Sequence, residues 1–363
     1  MSAQESSKTR HTEYSLILPV AALIILWFWG NTATFSLVVV INLIALVAIL
    51  SSAFSVVRHA DVLAHRLGEP YGSLILSLSV VILEVSLISA LMATGDAAPA
   101  LMRDTLYSII MIVTCGLVGA ALLLGGRKFA TQYVNLAGVK QYLIAIFPLG
   151  IIVLVFPNAL PGGNFTVMQA LLVSGISAAM YWVFLLIQTK THQSLFVYEH
   201  EDEGDDPHHG KPSAHSSTWH TVWLLVHLIA VIAVTKMNAN TLESLLTELK
   251  APEQFTGFLV ALLILSPEGL GAIKAVLANQ VQRAMNLFFG SVLATISLTV
   301  PAVTLIATLT GQQLIFGLEP PQMVVMIAAL LLCQISFSTG RTNVLNGAAH
   351  LALFIAYLMT IML

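Results

Sequence analysis

The sequence predicts an all-α polytopic membrane protein of eleven transmembrane helices, arranged as one leading span followed by two inverted five-helix repeats. Three observations lead there. Of 363 residues, 57% are hydrophobic and only 9% are charged, against about 25% in soluble domains, so a water-facing surface cannot be covered. Apolar runs of about 20 residues, the length that crosses a bilayer, recur eleven times along the chain. One long polar interruption, 189–216, then leaves five spans on each side once the first is set apart.

The first span, 15–30, follows Lys8 and Arg10 with no small-residue cleavage site after it, so residues 1–32 are read as a cytoplasmic tail plus a retained span. The first repeat, 33–188, carries spans at 33–54, 73–94, 105–124, 141–158 and 166–188. Punctuation by Pro70 with Gly72, Gly125 with Gly126, and Pro161 to Gly163 marks breaks among them. Residues 189–216 form an acidic, histidine-containing linker of the disordered type, with six acids between Glu199 and Asp206. The second repeat, 217–363, carries spans at 217–235, 254–277, 283–309, 321–339 and 344–362, with Pro320 and Pro321 at one break.

Lys and Arg concentrate in cytoplasmic loops. With the amino terminus inside, the cytoplasmic side holds 12 of the 15 basic residues, and Arg103, Lys236 and Lys250 fall outside. The expected location is a bacterial inner membrane, amino terminus cytoplasmic and carboxyl terminus periplasmic. Because five is odd, the two repeats cross in opposite senses, a topology that places transport sites near the midplane where the halves meet. The lipid bilayer is therefore an expected partner, and a homo-oligomer is compatible with this reading. A net charge of −3 with scattered basic residues excludes nucleic acid. Cys115 and Cys333 sit in apolar runs without ligand spacing and read as packing residues.

Of the 18 acids, only Glu84 and Glu268 lie deep within a span; Asp104, among the others, reads as sitting at a span end. Each glutamate is near the middle of the second helix of its repeat. A charge at the bilayer centre costs about 2.5 to 3.5 kcal/mol even on insertion scales, so such residues face an interior cavity and serve function. At 100° per residue, Ser73 and Ser77 lie within about 20° of Glu84, while Gly257, Ala261 and Asn279 cluster around Glu268. Pro267 in SPEGLG deprives the carbonyl of Leu263 of its donor and is read as a helix break that frees carbonyls for a cation. Ser108, Ser266, Ser291 and Thr295 offer supporting hydroxyls alongside Ser77; back-bonding to their own helices is the competing reading.

Two carboxylates among hydroxyl and carbonyl oxygens suit a hard cation such as Na⁺, K⁺ or Ca²⁺, so Glu84 and Glu268 are the expected metal-ion ligands. Burial disfavours the empty, ionised pair. Proton and cation therefore compete for the same oxygens, and a site too costly to reorient empty exchanges one for the other. No resident cofactor is expected.

The segments GEPYGSLILSLSVVILEVSLISALM and FTGFLVALLILSPEGLGAIKAVLANQ, the latter continuing into RAMNLFFGSVLATISLTVP, resemble the α-repeats of the cation/Ca²⁺ exchanger superfamily, in its cation/proton branch. The resemblance implies a one-plus-five-plus-five fold, an acidic segment between halves, and one essential glutamate per repeat, matching Glu84 and Glu268. The family surrounds these glutamates with Asn or Gln amides, whereas the flanks here are VVILE and LILSPE. Fewer amide oxygens favour monovalent cations, with Ca²⁺ as a further candidate. The expectation is a secondary Na⁺ and K⁺/H⁺ antiporter, against a Ca²⁺-selective Ca²⁺/H⁺ exchanger as alternative.

A channel would need rings of charge along an open pore. An enzyme is not expected, since no serine nucleophile pairs with a histidine. The histidines at 200, 208, 209, 215 and 220 read as linker residues, His227 and His350 as packing residues within spans, and Arg341 as part of the basic-inside pattern.

Overall fold

A computed structural model describes residues 14–30, 34–67, 71–93, 99–196, 215–338 and 340–362. The described residues form eleven helices: α1 (Tyr14–Trp29), α2 (Phe35–Leu67), α3 (Tyr71–Met92), α4 (Leu101–Phe129), α5 (Leu136–Ala159), α6 (Val167–Thr191), α7 (Ser217–Glu248), α8 (Gln254–Leu277), α9 (Val281–Thr310), α10 (Pro320–Ser336) and α11 (Val344–Ile361). Eight are long and apolar enough to cross a membrane, and α1, the apolar part of α3, and α10 are shorter apolar helices. The eleven expected spans each fall on one helix.

Local chemistry sets the helix starts. Thr166 and Gln169 form a reciprocal capping box at α6, as do Glu319 with Gln322 at α10 and Asn343 with Asn346 at α11. Pro320 and Pro321 occupy the first turn of α10, where the missing N–H has no cost. Gly311, at φ 72°, ends α9 in the left-handed conformation.

Four helices correct the sequence reading. Helices α2 and α7 run 33 and 32 residues, well beyond the apolar stretches 33–54 and 217–235, because hydropathy marks the membrane-embedded part and not the end of hydrogen bonding. Helix α4 begins at Leu101, so Asp104 lies inside its first turn, buried and bonded at 2.8 Å by the Nε–H of Arg103. Helix α8 continues unbroken through Pro267, so the proline removes one backbone bond without breaking the helix.

The repeats interlock as an inverted pair. The third helix of each, α4 and α9, packs on the second and fifth helices of the other: α4 on α8 and α11, α9 on α3 and α6. Their loops repeat the relation on opposite faces. After α4, Gln132 donates to the carbonyl of Val276 at the end of α8, and β1 (Gln132–Tyr133) pairs antiparallel with β2 (Arg341–Thr342) before α11. After α9, Gln312 donates to the carbonyl of Met92 at the end of α3, and Asn164 before α6 bonds Leu314 and Phe316.

Close helix approach depends on missing side chains. A Cβ on Gly257 of α8 would stand 2.7 to 2.8 Å from atoms of Asp104 and Thr105 on α4, so this contact needs glycine. Gly257→Val will lower the melting temperature of the purified protein, overpacking costing about 1 to 3 kcal/mol. Gly175→Val, at a lipid-facing position with open space around it, will leave the melting temperature near wild type, as fluorescence-detected size exclusion after heating will measure.

Candidate functional site

Helices α3 and α8 pack on one another and carry Glu84 and Glu268 into the interior. Glu84 is fully buried (0% exposed) and its Oε2 accepts a hydrogen bond from the Thr295 hydroxyl at 2.8 Å. Glu268 is half-buried because it lines a cavity of about 190 Å³, room for several water molecules at about 30 Å³ each. Ser77, Ser291 and Thr295 line the same cavity. Thr295 thus stands between the cavity and Glu84.

The remaining oxygens are the notable chemistry. Glu84 Oε1, Glu268 Oε2, and the hydroxyls of Ser291 and Thr299 are buried and make no hydrogen bond among the described residues. Ser291 lies beside Glu268 and Thr299 beside Glu84. Buried polar atoms in proteins are normally partnered, and four such oxygens gather here on or beside the two carboxylates. Among the described residues no three His, Cys, Asp or Glu side chains form a metal cage. Two carboxylates and neutral hydroxyl oxygens are a donor set suited to hard ions.

Residues 295–299 form a π turn within α9, and residues 112–117 form one in α4, the corresponding helix of the other repeat. Such turns leave backbone groups outside the regular ladder and gather at functional sites. On α9 the turn carries Thr295 and Thr299, both on the side of Glu84.

The supporting residues divide. Ser77, Ser291 and Thr295 gather at the cavity. Ser266 donates to the carbonyl of Leu262 on its own helix at 2.5 Å, and Ser108 is buried beside Tyr357 of α11. The side chain of Ser73 lies outside the described residues. Asn279 leaves the Glu268 face altogether: at φ 64° past the end of α8, it accepts from Gln132.

Sequence reasoning missed Thr299, four residues after Thr295, a spacing that could have found it. It also missed the cavity wall of Tyr142, Tyr181, Gln188 and Asn286. Gln188 donates to the Tyr142 hydroxyl at 3.2 Å and Asn286 to the carbonyl of Phe196 at 2.7 Å. These residues and Arg283 place the cavity toward the Lys/Arg-rich end of the bundle. His350, held by the Thr114 carbonyl and the Ser336 hydroxyl, is a buried packing residue. His200, His208 and His209 lie outside the described residues, but His220 is corrected from linker to a buried residue in the first turn of α7.

The family described as sodium/calcium exchanger protein matches residues 35–190 and 219–363. The chain is 80% identical over 361 residues, 99% of each sequence, to the sodium-potassium/proton antiporter ChaA of Escherichia coli (strain K12). It is 24% identical to a Ca(2+)/H(+) antiporter of Aphanothece halophytica, over 74% of this chain and 76% of that one. Among solved structures it resembles native YfkE, with a TM-score of 0.74 at 18% identity over 96% of this chain and 99% of that one. It also resembles the H+/Ca2+ exchanger CAX, with a TM-score of 0.71 at 14% identity over 95% and 86%.

Removing the Thr295 hydroxyl deletes a bond to a charged group, worth about 1.5 to 3 kcal/mol. Thr295→Val will raise roughly tenfold or more the Na⁺ or K⁺ concentration needed to stabilise purified protein against heat, and Thr295→Ser will restore it. Equal cation dependence in all three proteins will exclude Thr295 from the site.

Proposed function

We propose a function from one premise: the chain belongs to the sodium/calcium exchanger protein family. It is a multi-pass membrane cation/proton antiporter. Its substrates are Na⁺ and K⁺, with Ca²⁺ as a lesser one, expelled across the bacterial inner membrane in exchange for inward H⁺. The amino terminus is cytoplasmic and the carboxyl terminus periplasmic.

The observation that carries this reading is the Glu84 and Glu268 pair, with one buried oxygen on each unpartnered among the described residues and the hydroxyls of Thr295, Thr299 and Ser291 beside them. Two ionised carboxylates in apolar surroundings repel one another and have lost their hydration. A proton neutralises that charge, and so does a cation. The empty, doubly charged site is the costly state, so the carrier reorients loaded with one or the other. That asymmetry couples the two fluxes. Charge development is local, so the helices around the site need only shift their packing for the cavity to close on one face and open on the other.

The hydroxyls of Ser291, Thr295 and Thr299 beside the carboxylates, with Gln188 and Asn286 as the amides of the cavity wall, support monovalent ions, which demand less charge and fewer ligands than Ca²⁺. The 80% identical relative named as a sodium-potassium/proton antiporter supports the same choice. The more distant relatives named as Ca(2+)/H(+) antiporters support Ca²⁺ as the alternative. Arg283 in the cavity wall supports a cytoplasm-facing cavity.

In inverted vesicles, fluorescence-detected proton movement will respond to Na⁺ and K⁺, and more weakly to Ca²⁺. Glu84→Gln and Glu268→Gln will each abolish exchange with every ion while the protein still inserts. Undiminished exchange in either variant will overturn the carboxylate mechanism, and a stronger response to Ca²⁺ than to Na⁺ or K⁺ will overturn the substrate assignment.

A further inference from the structure

Away from the transport cavity, three imidazoles are buried where the long helices α2 and α7 pack: His59 (1% exposed), His220 (4%) and His227 (0%). His59 Nδ1 and His220 Nδ1 stand 2.8 Å apart. His227 stacks on His59 with ring centroids 6.1 Å apart, and its nitrogens meet the hydroxyls of Ser15 on α1 and Ser52 on α2 at 3.2 and 3.4 Å. Trp219 presents an edge-on contact to His59 at 5.4 Å and to His220 at 5.0 Å. None of these residues lines the glutamate cavity.

An N···N distance of 2.8 Å is a hydrogen bond and needs one proton between the rings. A neutral pair meets this with one Nδ1–H donor and one Nδ1 acceptor. A singly charged pair meets it equally, the imidazolium donating to its neutral partner. A doubly charged pair cannot, because two N–H groups would then face each other. We propose that His59 and His220 form a second proton-binding site, distinct from the transport carboxylates, which takes up one proton as a shared unit and parts α2 from α7 on taking a second.

The surroundings fix the site's identity. Among the described residues, α2 contributes Arg58, Asp61, His65 and Arg66 to this end of the helix, and Arg66 is turned to Ser217 and the carbonyl of His215. From α7 and the residues before it come His227 and His215, the latter stacked on Trp219 at 4.0 Å. From α1 comes Ser15. Helices α3 and α8 also pack on α2, but Glu84 and Glu268 make their contacts centrally and Lys274 is exposed. The pair lies at the Lys/Arg-rich end of α2, on the two helices that flank α3 and, on the α2 side, α8. Proton uptake therefore acts on the frame that holds both transport glutamates. Its effect on exchange rests on the function proposed above, whereas its proton binding does not.

The test uses full-length protein in lipid nanodiscs with Trp27, Trp29, Trp182 and Trp223 changed to Phe and His215→Gln, leaving Trp219 as the reporter. An imidazolium beside an indole lowers its emission. Trp219 emission will fall in one transition as the pH is lowered. Asparagine places an amide where Nδ1 stands and keeps a bond without a titrating ring. His59→Asn and His220→Asn will each move the midpoint of the transition, since the remaining imidazole loses its ring partner, and the double variant will remove it; His59→Gln and His220→Gln serve if an asparagine variant does not fold. A midpoint unmoved in both single variants, a transition kept in the double, or no transition in the reporter protein will overturn the proposal. In vesicles at saturating Na⁺, either single substitution will flatten the same limb of the pH profile and leave the alkaline rate within about twofold. An absence of exchange from wild type will count against the antiporter reading alone, and the fluorescence will still decide the proton site.

Discussion

Two carboxyl groups in a medium that cannot solvate their charge are the constraint on which the rest of the molecule depends. Apolar helices exclude water from Glu84, and Glu268 meets only a small cavity, so charge on either must be answered largely by the groups close by. The answer comes from α9, whose π turn delivers Thr295 to Glu84 at 2.8 Å and sets Thr299 beside the same side chain. It is partial, since oxygens on both glutamates stay without a hydrogen bond among the described residues. A fully satisfied site would be a structural knot; a partly satisfied one has use for a guest.

Scaffold and site are joined by the crossed packing of the repeats. Each glutamate helix is held by the third helix of the opposite repeat, α8 by α4 and α3 by α9. Gly257 allows the first contact by bringing backbone against backbone. The hydroxyls facing Glu84 therefore come from the other half of the chain. Neither repeat alone could assemble the site, which gives a physical reason for the two halves to fold against one another.

The membrane class, the eleven helices and their inverted order were legible because they are written in length, polarity and the distribution of Lys and Arg. Glu84 and Glu268 were legible because an acid in an apolar run is costly enough to demand a reason. The partners were less so. Ser266 and Ser291 look alike in sequence, and only the rotation of their helices turns one to its own carbonyl and the other to the cavity. Thr299, Tyr142 and Gln188 resemble ordinary polar residues until the fold gathers them. Asp104 and His220 were misplaced for one shared reason: polarity in the sequence suggests exposure, whereas burial depends on a partner that may be far along the chain, such as Gly317 for Arg103 beside Asp104 and His59 for His220.

The twin clasps made by Gln132 and Gln312 bear on how firmly the glutamate helices are anchored. Each ties the end of a glutamate helix to the loop after the opposite repeat's third helix, and both are made together here. The copies diverge in strength. Gln132 has Asn279 as an additional acceptor and Lys128 holds the carbonyl of Leu277 nearby, so the end of α8 is tethered by more bonds than the end of α3, and a motion that loosens the bundle meets less resistance at Gln312.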